Sequence, residues 1–313
     1  VTPQSLPGFA QRSAYIDPAS GEPLEDKGGF LTTASGRTVP IRGDIPRFVD
    51  SAGIAENWSR QWRIWQDLHY SEQYRSRSYE QFKAKFGIDP SDRSLKPMRV
   101  LDAGCGNGRN TALFESSQHQ VWSVDMSLAV EFAKANVPPG AAEFAQANIA
   151  NLPFPDHFFD FVFSDGVLIH VPDVDLCIGH LLRKLRPGGL LGLAMAKEWD
   201  PAEKFAIAHE RVIDFYRRFS VGLPEFILNP FVALLSSLYR LRSFPIVGRL
   251  ALLLVPEWHD DPEWRRCYIH DYLTAVIRKR QRESDITQIL EKHGARDIVV
   301  FPSHEIRVTA KKA

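Results

Sequence analysis

The chain has 313 residues, 44% of them hydrophobic, with 38 basic and 38 acidic side chains. That length buries a large core and suggests one main domain with an accessory part, while a formal net charge of zero removes any global electrostatic case for nucleic acid or an anionic membrane. Cys105, Cys177 and Cys267 are odd in number and widely spaced, which argues against a disulfide frame, for a reducing cytoplasmic compartment, and against a thiolate zinc site. No secretory leader is expected, and the apolar stretch within 226–255 is broken by arginines and prolines, so it does not read as a membrane span.

In chain order, residues 1–95 are expected to begin irregularly, with Pro and Gly punctuation. Residues 30–33 and 38–41 flank Ser35-Gly36 as a hairpin. Further on, Trp58, Trp62 and Trp65 recur at i, i+4 and i+7, the spacing of one helix face, with Gln61 just ahead of the middle tryptophan. The plain reading of such a stripe is a helix buried against a core.

Residues 100–108 (VLDAGCGNG) read as the end of a buried strand closed by Asp102, followed by Gly104, Gly106 and Gly108. Glycines there let the backbone turn sharply and approach a ligand. The dinucleotide fingerprint G-x-G-x-x-G is ruled out, because Arg109 stands where its last glycine belongs. Four segments follow in order. Residues 120–125 (QVWSVD) are β-rich and end in an acid, about 20 residues past the first glycine, where such folds hydrogen-bond a ribose diol. Next come 148–154 (NIANLPF), 160–165 (DFVFSD) leading into Gly166–His170, and 181–189 (LLRKLRPGG), which closes a helix and launches a strand over 190–196.

Taken together, the five segments over 99–196 resemble the class I S-adenosylmethionine (SAM) methyltransferases. The fold this implies is α/β, a Rossmann-like and mostly parallel sheet. Strands are expected near 99–103, 120–124, 142–146, 160–164 and 190–196. Helices are expected after the glycines, after Asp125 and across 174–185. Runs at 297–301 and 305–309, joined by Pro302-Ser303-His304, are expected to form the antiparallel C-terminal hairpin typical of that family. The expected organisation is an accessory segment with a lid helix over 1–95, a SAM-binding core over 96–197, a helical insertion serving as acceptor lid over 198–283, and the end of the core over 284–313. Residues 31–48 resemble a small ribbon module found ahead of some bacterial methyltransferases. The cysteines that can bind zinc there are missing, so no metal is expected.

The resemblance also implies roles for single residues. Gly104 and Gly106 contact the cofactor, against the alternative of a tight turn with no ligand. Asp102 faces the methionine amino group, or caps the next helix. Asp125 accepts from the ribose hydroxyls, or is a solvated loop carboxylate, and Met126 offers the adenine a flat apolar face, or fills the core. Asn148 replaces the family's aspartate, but its amide oxygen can still accept from the adenine amino group, with the Ile149 N–H beside it. Ser164 and Asp165 line the methyl-donor position, with an exposed N-cap as the other reading of Asp165. The helix around Gln61 and Trp62 resembles a lid that closes over SAM.

For chemistry, His170 is the candidate general base, expected to titrate near 6–7. The competing reading is that it caps the helix starting near Asp173. His209, Tyr216, Tyr268 and His270 are candidates to line the acceptor pocket. The run 278–282 (RKRQR) reads as a solvated helix end, with an anionic substrate group or lipid headgroup as the minority reading. The function implied is methyl transfer from SAM to a small or medium-sized, hydrophobic organic acceptor, with O-methylation favoured and no nucleic-acid partner. Two rivals stand beside it: a SAM-fold enzyme of other chemistry (hydroxylation, decarboxylation or cyclisation), and a non-catalytic methyltransferase-like partner protein. Nothing in the sequence specifies an oligomeric state.

Overall fold

A computed structural model describes residues 14–50, 54–65, 68 and 72–313; the irregular start expected at 1–13 lies outside them. The N-terminal part is an antiparallel ribbon of four strands in sequential order: β1 (Glu25–Asp26), β2 (Phe30–Thr32), β3 (Thr38–Arg42) and β4 (Ile45–Pro46). β2 and β3 are the expected hairpin, with Leu31 opposite Val39 and both buried. Two helices follow, α1 (Ile54–Trp65) and α2 (Glu72–Phe86).

The main sheet contains β5 (Arg99–Ala103), β6 (Gln120–Asp125), β7 (Glu143–Gln146), β8 (Phe159–Asp165), β9 (Leu185–Ala196), β10 (Ala295–Val300) and β11 (Glu305–Lys312). Their spatial order is β10-β11-β9-β8-β5-β6-β7, parallel from β9 to β7. β11 runs antiparallel between β9 and β10, as the expected hairpin requires. Helices α3 (Ala129–Asn136), α4 (Val174–Lys184) and, after an insertion, α9 (Glu283–Lys292) pack on the sheet.

Both sheet faces are covered, so the strands read as near-continuous apolar runs whose successive side chains go to opposite sides. Leu101, Trp122 and Val162 meet Ile178 and Leu181 of α4 and Leu290 of α9. Val100, Val121, Phe161 and Phe163 meet Phe82 and Phe86 of α2 and Val130 of α3. The ribbon protects the β7 edge, a position where unpaired backbone groups invite aggregation. The Phe48 N–H donates to the Gln146 carbonyl (2.8 Å), Arg47 donates to the Gln146 side chain (3.1 Å), and Arg47 pairs with Glu131 (2.6 Å).

The insertion between β9 and α9 is helical, as expected: α5 (Lys204–Ser220), α6 (Glu225–Leu238), α7 (Val247–Leu254) and α8 (Pro262–Thr274). It has its own core, in which Leu228, Val232 and Leu235 of α6 meet Ile269 and Leu273 of α8. Among the described residues no helix is long and apolar enough to cross a membrane.

Three local expectations are corrected, and one helix is new. The glycine loop leads not into an α-helix but into one 3-10 turn, Thr111–Phe114; the segment is short and closes on Ser116-Ser117, and the Ser117 hydroxyl accepts from the His119 N–H (3.2 Å), competing with a helical turn. α2 was not anticipated; Phe86 fills the space that a Cβ on Gly192 would occupy, 2.6 Å from its ring. The Pro187-Gly188-Gly189 stretch does not end a helix, because β9 already runs from Leu185 and absorbs those residues in a register shift opposite 159–161. The run 278–282 is extended rather than a helix end. Its backbone is taken up by Lys279 N–H to the Ile169 carbonyl (2.8 Å) and Gln281 N–H to the Ala196 carbonyl (3.1 Å).

At Gly108, φ is +84° and a Cβ would lie 2.9 Å from Cα of Ala133, so α3 packs directly on the loop. Gly108→Ala combines a left-handed penalty with a backbone clash and should cost about 2–4 kcal/mol. Gly140→Ala, at φ +82° with open space around it, should cost only the first part. Urea unfolding of the two variants checks this; equal losses would contradict it.

Candidate functional site

β5, β6 and β8 end side by side, and each carries a carboxylate at its C-terminal end: Asp102, Asp125 and Asp165. In a parallel sheet this is the edge where ligands bind, outside the strand ends. The loop 104–108 crosses that edge. The Gly104 N–H donates to the Val124 carbonyl (2.8 Å), and at φ +93° a Cβ on Gly104 would lie 2.3 Å from Val167. The Gly106 N–H donates to Oδ2 of Asp125 (2.9 Å). A Cβ on Gly106 would lie 2.7 Å from Cζ2 of Trp62, so the indole of α1 rests directly on the loop. Glycine alone permits that approach.

The three carboxylates differ in charge state. Asp102 is 2% exposed and accepts from the Thr111 hydroxyl (2.7 Å). Burial, reinforced by the charges of Asp165 and Asp125, pushes its pKa up to about 7 against the Thr111 bond and Arg109. Burial also raises Asp125, although the Ser127 hydroxyl (2.6 Å), the Ser127 N–H (2.8 Å) and the Gly106 N–H hold it back. At Asp165 burial again favours the proton, but Lys85 and Arg109 outweigh it and the net direction is downward. Asp165 is not the exposed N-cap of the alternative reading. Lys85 (2.8 Å), Asn110 (3.1 Å) and Arg109 (3.6 Å) surround it, tying α2, the glycine loop and β8 together. Beside it, the Ser164 hydroxyl donates to the Ala103 carbonyl (2.8 Å).

Along the β6–β7 side, Met126 is half-buried and its carbonyl accepts from the Gln146 amide (3.0 Å). Asn148 turns its amide oxygen onto its own loop, accepting from the Ala150 N–H (2.9 Å), and Ile149 is buried.

His170 does not cap α4. Asp173 does, accepting from the Leu176 N–H (2.9 Å). The His170 Nδ1 lies 2.7 Å from the Ile277 carbonyl. A carbonyl only accepts, so in the neutral ring Nδ1 carries the proton and Nε2 the lone pair. Trp58 of α1 stands edge-on over the ring, centroids 4.3 Å apart. Burial, with Arg278 and Arg217 nearby, lowers the His170 pKa to about 4 despite the Ile277 bond. The expectation of a histidine titrating near 6–7 is therefore corrected: its site disfavours the cation.

The four insertion residues do not share one set of partners. The His209 ring donates to the Val255 carbonyl (2.8 Å) and lies beside Trp258. Tyr216 packs edge-on against Phe231, and Tyr268 sits with Trp264 and His259. His270 reaches toward α1, with Trp65 at 6.3 Å between centroids and Glu225 at 3.4 Å; Glu225 in turn pairs with Arg60 of α1 (2.9 Å).

Three residues at this junction escaped the sequence reading. Trp58 was seen only as part of a stripe. Lys85 sits on the unanticipated α2. Asp271, next to His270 on α8, is bonded by the Gln61 side chain of α1, and burial lifts its pKa to about 6 against Arg278 and that bond. An acid set between aromatic and histidine neighbours in the contiguous run Y-I-H-D-Y was the available signal.

Comparison with known proteins identifies the family. A methyltransferase domain model matches residues 101–193. The ubiquinone biosynthesis O-methyltransferase of Rhizobium etli is 30% identical over 193 residues, 59% of this chain and 76% of that protein. The O-methyltransferase rstn1 of Aspergillus nomiae is 32% identical over 108 residues, 32% of this chain and 48% of that protein. The sterol 24-C-methyltransferase erg6 of Schizosaccharomyces pombe is 25% identical over 177 residues, 52% of this chain and 45% of that protein. The chain thus spans about half the length of two of these relatives and three quarters of the third. It belongs to the class I SAM-dependent methyltransferase family.

The raised pKa of Asp102 sets a pH dependence. An unfolded aspartate releases its proton near 3.8, whereas the native state holds it to about 7, so the native state binds more protons between those limits. Stability from this group is therefore fullest at the acid end and falls as pH rises from about 4 to about 7. Asp102→Asn should flatten that part of the curve in urea titrations across the window; an unchanged slope would show that Asp102 is ionised in the native state.

Proposed function

We propose that this chain transfers the methyl group of SAM to a small or medium-sized, hydrophobic organic acceptor, with oxygen the favoured nucleophile. The observation that carries the reading is the convergence of bare glycine backbone, Asp125 and the Trp62 indole at the strand ends. The residues fit the cofactor. The Ser127 N–H and hydroxyl take both lone pairs of Asp125 Oδ1, whereas Oδ2 accepts only from the Gly106 N–H and keeps a lone pair for a ribose hydroxyl. Met126, the next residue, is half-buried and supplies apolar surface beside it, and Asp102, near its pKa at neutrality, can release its proton to face an ammonium group.

SAM supplies an activated methyl group on a sulfonium. The chain's own part is first to hold the acceptor in line and to exclude water. α1 does this from above the loop, and we assign residues 198–283 to the acceptor lid because α8 meets α1 through Gln61, Trp65 and His270. For an oxygen acceptor the hydroxyl proton leaves as the O–CH₃ bond forms and the S–CH₃ bond breaks. His170, neutral with Nε2 unprotonated, is assigned to receive it. The match to a methyltransferase domain over residues 101–193 supports a working enzyme over an inert partner.

The test is product mass. Methyl transfer adds one CH₂ to the acceptor and releases one S-adenosylhomocysteine per turnover; a product of altered mass without that release would instead indicate hydroxylation, decarboxylation or cyclisation. His170→Ala should lower kcat about 10²–10⁴-fold with little change in SAM affinity. The acid limb of the wild-type rate profile should lie near the His170 pKa of about 4 and vanish in the variant. A limb near 6 that survives in His170→Ala and disappears in Asp271→Asn would move the base to Asp271.

A further inference from the structure

Helix α6 is apolar nearly all round. Leu228, Val232 and Leu235 face the insertion core, while Phe226 and Leu234, on the opposite side, face outward. A helix apolar on every face is normally buried on every face. Here Phe226 is 78% exposed, and the turn and helix that follow continue the pattern with Phe244, Ile246 (86%) and Leu250. The close seating of α7 on that turn, where a Cβ at Gly248 would lie 2.5 Å from the Arg242 carbonyl, holds these side chains out. Such an apolar surface on a polar enzyme marks a contact site.

Charge identifies the occupant. Residues 226–255 contain three arginines and no carboxylate. Arg242 is engaged by Asp260 (3.1 Å) and the Tyr239 ring, whereas Arg240 and Arg249 are exposed and have no partner among the described residues. An isologous contact with a second copy would set these unpaired arginines on a face of the same sign. An anionic lipid surface satisfies both features: apolar side chains enter the headgroup–acyl boundary while arginines meet lipid phosphates. The neutral whole-chain charge conceals this local asymmetry.

We propose that the α6–α7 segment docks the enzyme on an anionic membrane surface without crossing it. The proposal does not depend on which acceptor is methylated, and its readout is independent of turnover. Flotation with phosphatidylcholine vesicles, with and without phosphatidylglycerol, tests it. Wild-type protein should float with the phosphatidylglycerol vesicles, at least about tenfold more than with phosphatidylcholine alone, and less at high salt. Phe244→Ser with Ile246→Ser, and separately Arg240→Glu with Arg249→Glu, should each reduce partitioning by about tenfold or more. Both pairs are solvent-exposed, so melting temperature and S-adenosylhomocysteine affinity should stay at wild-type values. The proposal is overturned if wild type floats with neither vesicle, or if the variants float equally well. A dimer in light scattering that the apolar pair dissolves would assign the face to a second copy instead.

Discussion

The site depends on one close approach: the backbone of Gly106 is held between the carboxylate of Asp125 and the indole of Trp62. The hydrogen bond to Oδ2 of Asp125 joins the end of β6 to the loop that leaves β5. The indole contact joins that same loop to a helix from the N-terminal segment. A side chain at position 106 would collide with the indole, so the seating of α1 on the loop depends on this glycine. From there the connections spread outward. Trp58 reaches His170, Gln61 reaches Asp271, and Arg60 reaches Glu225, so α1 contacts both the segment after β8 and the insertion.

Electrostatics divides the labour among groups that look alike in sequence. Three aspartates lie at one sheet edge, and only Asp165 has basic partners close enough to keep it firmly charged. Asp102 is left protonated up to neutrality by burial and by its acidic neighbours. A cation brought beside Asp102 would lower its pKa again. His170 shows the same principle with the opposite sign: enclosure near Arg278 and Arg217 keeps the imidazole neutral.

Much of this was legible because local chemistry and tertiary placement coincide. Residues 100–108 need glycine for reasons that act within a few residues, and the apolar runs of β5, β6 and β8 announce strands buried on both faces. The tryptophan stripe read correctly as one helix face, and Trp62 indeed meets the loop. What escaped depended on distant partners. α2 has weak apolar periodicity, and its value lies in Phe86 meeting Gly192 and in Lys85 meeting Asp165. The run 278–282 carries charges suited to a solvated helix end, but Glu210 captures Arg278 and Arg280, and backbone bonds to Ile169 and Ala196 draw the chain out straight. The titration of His170 was misjudged because its enclosure by Trp58 and Ile277 comes from segments far away in the chain.

The central claim is that Asp125 and the glycine loop form a nucleoside site specific to SAM. Calorimetric titration of S-adenosylhomocysteine into wild type and Asp125→Ala tests it most directly. The account predicts one site per wild-type chain and a loss of about 2–4 kcal/mol in the variant, the worth of a charge-assisted pair of hydrogen bonds, with no heat from NAD in either protein. Undiminished affinity in Asp125→Ala, or saturable binding of NAD, would contradict it.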